Sequence, residues 1–390
     1  MAASASAASP SAGHSGLSAL FRVAQAFALL YGFLVGIDLL GDGFQLLGGP
    51  LLDAFFTATR NPFTGLIVGV LATSLVQSSS LTTSLIVGLT AAPENPLPLA
   101  NAVPMVMGAN FGTTVTNTIV SLAHIGRPNE FRRAFAVSTC DDFFNFFAVA
   151  VLLPLEIATG FLQKTALAMA SALTGAGGLE YHSPIKAVVG AGAEPLTRLV
   201  SSALNGSTYA GAAIVLLAVI LIFLTLGSIV RLMRRLMIDR VENIVNRAFG
   251  RTAWAALGIG LIATALVQSS SITASMLVPL AGAGVLSLER AFPIVLGANV
   301  GTTVTALTAA LAATGVNSRA GVAIALVHFL FNATGIALLF PWKRLRELPL
   351  ACSRRLADIG VRSPSLAILY VVGLFYALPA LVAWVYQQFL

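Results

Sequence analysis

Charge is what this sequence has least of. Only 9% of its 390 residues are Asp, Glu, Lys or Arg, against about a quarter in soluble domains, which excludes an ordinary water-soluble globular protein. Cysteine is scarcer still, and Cys140 and Cys352 are too few and too far apart for a disulfide framework or a zinc site. The first sixteen residues, MAASASAASPSAGHSG, lack the basic start, apolar core and cleavage site of a secretory leader and read as a disordered tail. What remains is 57% hydrophobic, the composition of an all-α polytopic membrane protein. The net charge of +7 does not point to nucleic acid, because the basic residues collect in stretches between apolar runs. That is the pattern the positive-inside rule imposes on a chain whose partner is the lipid bilayer.

Stretches apolar enough to cross, at about twenty residues for the hydrocarbon core, fall at 17–38, 101–122, 131–153, 209–230, 291–314, 319–340 and 366–389. Residues 43–60 and 157–173 mix apolar with polar residues and suit interfacial helices. Two further apolar segments are interrupted: ATSLVQSSSLTTS at 72–84 and ATALVQSSSITAS at 263–275. Each splits a segment into halves too short to span, roughly 17 to 24 Å at 1.5 Å per residue. One reading is a hairpin that dips into the membrane and returns, over 62–92 and 252–282. The other is a continuous helix whose serines bond back to carbonyls one turn earlier.

The duplication extends further. GANFGTTVT at 108–116 matches GANVGTTVT at 297–305, and FNFFAVAVLLP at 144–154 parallels FNATGIALLFP at 331–341. Two near-equal halves carry the same elements in the same order, a true internal repeat. The expected organisation is a tail at 1–16, a first repeat at 17–153, an extracytoplasmic loop at 154–208 and a second repeat at 209–340. A basic cytoplasmic loop at 341–365 and a last crossing at 366–390 follow. Three crossings and one hairpin per half make the repeats inverted in topology. The basic stretches at 126–133, 231–247 and 342–362 all fall on the cytoplasmic side of one threading, with the N-terminus inside and the C-terminus outside.

Inverted repeats whose broken segments meet at the midplane are the architecture of secondary transporters. The polar inventory near the breaks is Gln77, Ser78, Ser79, Ser80, Asn110, Thr113 and Thr114 in one half, and Gln268, Ser269, Ser270, Ser271, Asn299, Thr302, Thr303 and Thr305 in the other. Hydroxyls and amides donate to an anion and also offer oxygens to a small cation. An uncharged cage makes a multiply charged anion costly to hold alone, so cations must accompany it. Without carboxylates in these strings a divalent ion is disfavoured, and sodium fits. Gly108, Gly112, Gly297 and Gly301 permit either unwinding of the main chain or close helix packing. Asp141 and Asp142 are functional candidates because charges in membrane segments are costly; one of them could instead sit near the interface beside Arg132 or Arg133. His328 occupies the position corresponding to Asp141 and reads as a buried histidine bonded to a main-chain carbonyl. Asp38, Glu289 and Arg290 read as interfacial or helix-end charges.

The paired QSSS strings, each followed by GANxGTT and then by DFFN (142–145) or HFLFN (328–332), resemble the type II sodium-phosphate cotransporter family over roughly residues 17–390. The resemblance implies a plasma-membrane symporter importing inorganic phosphate with Na+ by alternating access. It implies phosphate contacts at Ser78, Ser79, Ser80, Ser269, Ser270 and Ser271, with Gln77, Asn110 and Asn299 beside them. It carries one sodium site over to Gln268, Ser269, Thr302 and Thr305, matched in the first half by Gln77 and Thr113, and another to Asp142 with Asn145. The family usually has histidine where this chain has Asp141. Retention of Asp142 resembles the electrogenic members. A serine hydrolase using His328 is a rival that fits poorly, since three serines duplicated in each half do not single out one nucleophile. A passive channel is the second rival.

Overall fold

The computed structural model describes residues 12–47, 56–92, 95–175, 184–204, 208–246, 252–312 and 317–389. Residues 1–11 of the tail and 48–55 of the segment expected at the interface lie outside them. Every regular element among the described residues is helical. The first half comprises α1 (Ala12–Leu47), α2 (Pro62–Val76), α3 (Ser79–Ala91), α4 (Leu99–Thr113), α5 (Val115–Leu122) and α6 (Pro128–Thr159). Then come α7 (Phe161–Gly175) and α8 (Pro184–Ala203). The second half holds α9 (Thr208–Asn246), α10 (Ala253–Val267), α11 (Ser270–Gly282), α12 (Leu288–Ala312) and α13 (Ser318–Leu339), followed by α14 (Lys343–Arg362), α15 (Pro364–Val372) and α16 (Leu378–Phe389).

Among the described residues six helical stretches are long and apolar enough to cross a membrane: Phe21–Leu40, Pro128–Thr159, Tyr209–Ile229, Leu288–Ala310, Ser318–Leu339 and Pro364–Val382. The last includes a π-helical turn at Gly373–Ala377. The crossing expected at 101–122 is instead divided into α4 and α5 at Thr114. Its counterpart α12 runs unbroken through the matching residues. Two expected loops are largely helix. The segment 154–208 holds the end of α6, then α7 and α8, with a left-handed Gly160 (φ 65°) making the corner after α6. Leu162, Ala166 and Ala170 recur on one face of α7 and are buried, so the segment 157–173 is largely the helix expected there, with one face packed into the protein.

The basic segment 341–365 contains α14, an amphipathic helix. Its Leu350, Ser353, Ala357 and Gly360 are buried, and a methyl group on Gly360 would press on the Phe131 ring of α6 at 3.2 Å. Exposed ion pairs, Arg132 to Asp358 and Arg354 to Glu289 at 2.6 Å, join α14 to α6 and α12. Such pairs orient more than they stabilise.

The glycines of the GAN motifs resolve in favour of packing. A methyl group on Gly108 would run into the Leu66 carbonyl of α2, and one on Gly297 into the Leu257 carbonyl of α10. In return Gly69 lies against the Met105 carbonyl of α4 and Gly260 against the Ile294 carbonyl of α12. Each half therefore clamps its first short helix against its GAN helix by backbone contact, the use small residues serve between membrane helices.

Candidate functional site

Both QSSS strings form the same two-residue corner. α2 begins with Pro62 behind the Asn61 cap, whose Oδ1 accepts from Phe63 N at 2.9 Å, and ends at Gln77 in the left-handed region (φ 55°, ψ 30°). Ser78 is extended (φ −151°, ψ 105°) and α3 follows. α10 ends at Gln268 (φ 58°, ψ 27°), Ser269 is extended (φ −151°, ψ 109°), and α11 follows. Left-handed backbone costs a non-glycine residue about 1–2 kcal/mol; that both halves carry it at the same glutamine marks a place where structure overrides local preference. The breaks exclude the continuous helix. They are also shorter than the four residues Gln-Ser-Ser-Ser: Ser79, Ser80, Ser270 and Ser271 belong to the helices that follow.

The corners meet. Ser80 Oγ donates to the main-chain oxygen of Gln268 across 3.5 Å, joining residues 188 apart in sequence. Around this contact Ser79, Ser80 and Ser270 are buried, Ser78, Gln268, Ser269 and Ser271 are half-buried, and Gln77 is exposed. In the first corner Ser78 Oγ accepts from Leu81 N at 3.3 Å, whereas Ser269 makes no side-chain cap. Two helix N-termini, α3 and α11, thus begin beside each other's string, and their unsatisfied amides favour an anion.

Behind the corners lie two buried amide clusters, each made from both halves. Asn299 of α12 donates to Asp141 Oδ1 of α6 at 2.7 Å, and Asn145 Nδ2 donates to the same oxygen at 3.1 Å. In the mirror position Asn110 Oδ1 of α4 accepts from Asn332 Nδ2 of α13 at 2.9 Å and lies 3.1 Å from His328 Nε2. Asp141 corresponds to His328, Asn145 to Asn332, and Asn299 to Asn110. His328 therefore faces a side-chain amide and not the main-chain carbonyl expected, and among the described residues no serine is its hydrogen-bond partner. This removes the nucleophile-base pair that a hydrolase requires.

Both aspartates are buried, Asp141 3% and Asp142 1% exposed, and neither pairs with Arg132 or Arg133. Arg132 pairs with Asp358, and Arg133 donates to the carbonyls of Ala281 and Gly282 at the end of α11. Successive helical positions send the two carboxylates apart. Asp142 Oδ2 accepts from Tyr370 Oη at 2.8 Å and from Thr118 Oγ1 at 3.5 Å, while its Oδ1 is buried without a partner. Asn145, expected beside Asp142, is bonded to Asp141. Thr118 and Tyr370 were not legible as site residues, since a threonine and a tyrosine in apolar runs carry no distinctive spacing.

Among the other sodium candidates, Thr113 Oγ1 and Thr302 Oγ1 bond back to the carbonyls of Ala109 and Ala298 at 2.9 and 3.1 Å. Their second lone pairs stay available. Thr305 Oγ1 is buried without a partner, a costly condition that a ligand would relieve. Among the described residues no cluster of three or more His, Cys, Asp or Glu could hold a metal ion.

The Na+/Pi-cotransporter family model matches residues 33–181 and 221–352. Sodium-dependent phosphate transport protein 2A of Rattus norvegicus is 33% identical over 435 residues, covering 93% of this chain and 67% of that protein. The 2A protein of Oryctolagus cuniculus is 33% identical over 438 residues, with 93% and 67% covered. Protein 2B of Homo sapiens is 30% identical over 449 residues, with 92% and 64% covered. The chain thus spans about two thirds of the length of these relatives. No solved structure matches it significantly. By the family model and these relatives together, the chain belongs to the Na+/Pi-cotransporter family.

Proposed function

We propose that this protein is a sodium-coupled symporter, not an enzyme, importing inorganic phosphate across the plasma membrane by alternating access. The observation that carries the reading is the meeting of the two corners, Ser80 on Gln268, which joins the serine strings of both halves around one uncharged site. Phosphate is held there by the hydroxyls of Ser78, Ser79, Ser80, Ser269, Ser270 and Ser271 and by the start of α3 and α11, with Gln77 at the rim. Asn110 and Asn299 stand behind the site, each engaged with the opposite half. One sodium ion is taken by Gln268, Ser269, Thr302 and Thr305, the last with its orphaned hydroxyl. Gln77 and Thr113 are the matching groups of the first half. A second cation accompanies Asp142, with Asn145 one turn away on the same helix.

The 15- and 13-residue helices of each pair are too short to cross, which supports re-entrant hairpins. The sequence repeat, with α4 and α5 counted together as the third crossing of the first half, supports inverted halves, with the N-terminus cytoplasmic and the C-terminus outside. Coupling is electrostatic: in a low-dielectric site anion and cations lower each other's cost of entry, so the empty and fully loaded forms interconvert most readily. A carboxylate at Asp142 that brings one more cation than the anion neutralises makes the cycle electrogenic, worth about 2.3 kcal/mol per charge per 100 mV.

The test is radiolabelled phosphate uptake into proteoliposomes at clamped voltage. Uptake should require an inward sodium gradient, concentrate phosphate and speed up with an inside-negative potential. Flux unchanged on replacing sodium by potassium would overturn the reading, and non-saturating flux would favour a channel.

A further inference from the structure

The C-terminal segment reaches the candidate site at two points. Tyr370 of α15 donates its hydroxyl to Asp142 Oδ2 at 2.8 Å, and Tyr376, in the π-helical turn, donates to the Ser74 carbonyl of α2 at 3.1 Å. The Tyr370 ring is fixed edge-on against Phe135 and Phe375, with centroids 6.3 Å away in each case. Its hydroxyl is therefore aimed, not merely near.

What it meets is an unbalanced carboxylate. Among the described residues no Lys, Arg or His forms an ion pair with Asp142. Oδ1 is buried with no partner, and Thr118 reaches Oδ2 from α5. One carboxylate and two hydroxyls, drawn from three separate stretches of chain, make an oxygen-only setting, suited to a hard monovalent cation. A phenol has one O–H to donate and lone pairs to offer. With no cation its proton goes to the carboxylate; with a cation beside Oδ1 the hydroxyl can rotate and present oxygen.

We propose that Tyr370 is a cation-binding residue: its hydroxyl completes, from the C-terminal segment, the sodium site built on Asp142 and Thr118. This rests on the reading that Asp142 takes a cation. It adds to Asn145, whose Nδ2 bonds Asp141 while its Oδ1 stays buried without a partner, two hydroxyls, those of Thr118 and Tyr370, that the sequence did not single out.

Tyr370→Phe keeps the ring and its aromatic contacts and removes only the hydroxyl. In full-chain proteoliposomes it should raise the sodium concentration for half-maximal phosphate uptake by about three- to tenfold, the worth of one hydrogen-bond-scale contact. The preference for sodium over lithium should change as well. The sign is decisive. A tyrosine that only competes with the cation for the carboxylate would, once removed, lower the half-saturating sodium, and a purely structural tyrosine would leave both sodium dependence and ion preference unmoved. Either result overturns the proposal. Asp142→Asn separates the two levels: if it leaves sodium dependence unchanged, the underlying reading fails, whereas if it alters sodium dependence and Tyr370→Phe does not, only the role of Tyr370 fails. Thermal unfolding of each variant in detergent identifies any effect due to misfolding.

Discussion

The two halves share their strings almost letter for letter, yet their buried polar clusters differ in kind. In one, Asn299 and Asn145 donate to a carboxylate, Asp141; in the other, Asn110 accepts from Asn332 and faces an imidazole, His328. A single amide type serves both because it carries an acceptor and donors on one planar group and turns over to suit its partner. The geometry of the repeat has been kept while the charge within it has not. That separates what the fold needs, an amide bonded across the halves, from what can vary, the group it faces.

The sharpest way to break this comparison is to make the two clusters acidic together. In His328→Asp a carboxylate would face the acceptor oxygen of Asn110, and turning the amide over would forfeit its bond to the Val106 carbonyl, 3.0 Å. An uncompensated buried charge costs about 3–5 kcal/mol, so a large fall in unfolding temperature in detergent is expected. Unchanged stability would mean that the Asn110 pocket, unlike its counterpart, is wet. A smaller effect should be equal on both sides. Gly108→Ala and Gly297→Ala each force a methyl group onto a main-chain carbonyl of the neighbouring helix, an overpacking worth about 1–3 kcal/mol. A large inequality between the two would show that one half relaxes where the other does not.

Much of this arrangement was legible in the sequence because it repeats. The breaks at Gln77 and Gln268, the correspondence of Asp141 with His328, and the convergence of the strings all follow from two copies of QSSS and GAN. What was not legible lay where repetition or composition gave no signal. The helix α14 was hidden by its six Lys and Arg residues within 343–362, since its apolar face is small, built on residues such as Ala357 and Gly360. Division of the 101–122 segment at Thr114 could not be read from a motif that leaves α12 continuous. Tyr370 lies outside the repeat altogether, so nothing paired it with Asp142 until the chain was folded.

The smallest effect concerns the corners themselves. Their backbones agree to within a few degrees, but Ser78 Oγ caps α3 through Leu81 N at 3.3 Å, while Ser269 makes no such bond to α11. Loss of a helix cap costs about 1 kcal/mol, so Ser78→Ala should lower the stability of the detergent-solubilised protein by about that amount. Ser269→Ala should change it by less than about 0.5 kcal/mol, as substitutions that break no cap or buried network do. Its cost should appear instead in transport, as a higher half-saturating sodium or phosphate concentration, because a hydroxyl not engaged in capping is the one left to a ligand. Equal losses of stability from both substitutions would mean that Ser269 caps α11 after all, and the two corners would then be alike in bonding as well as in backbone.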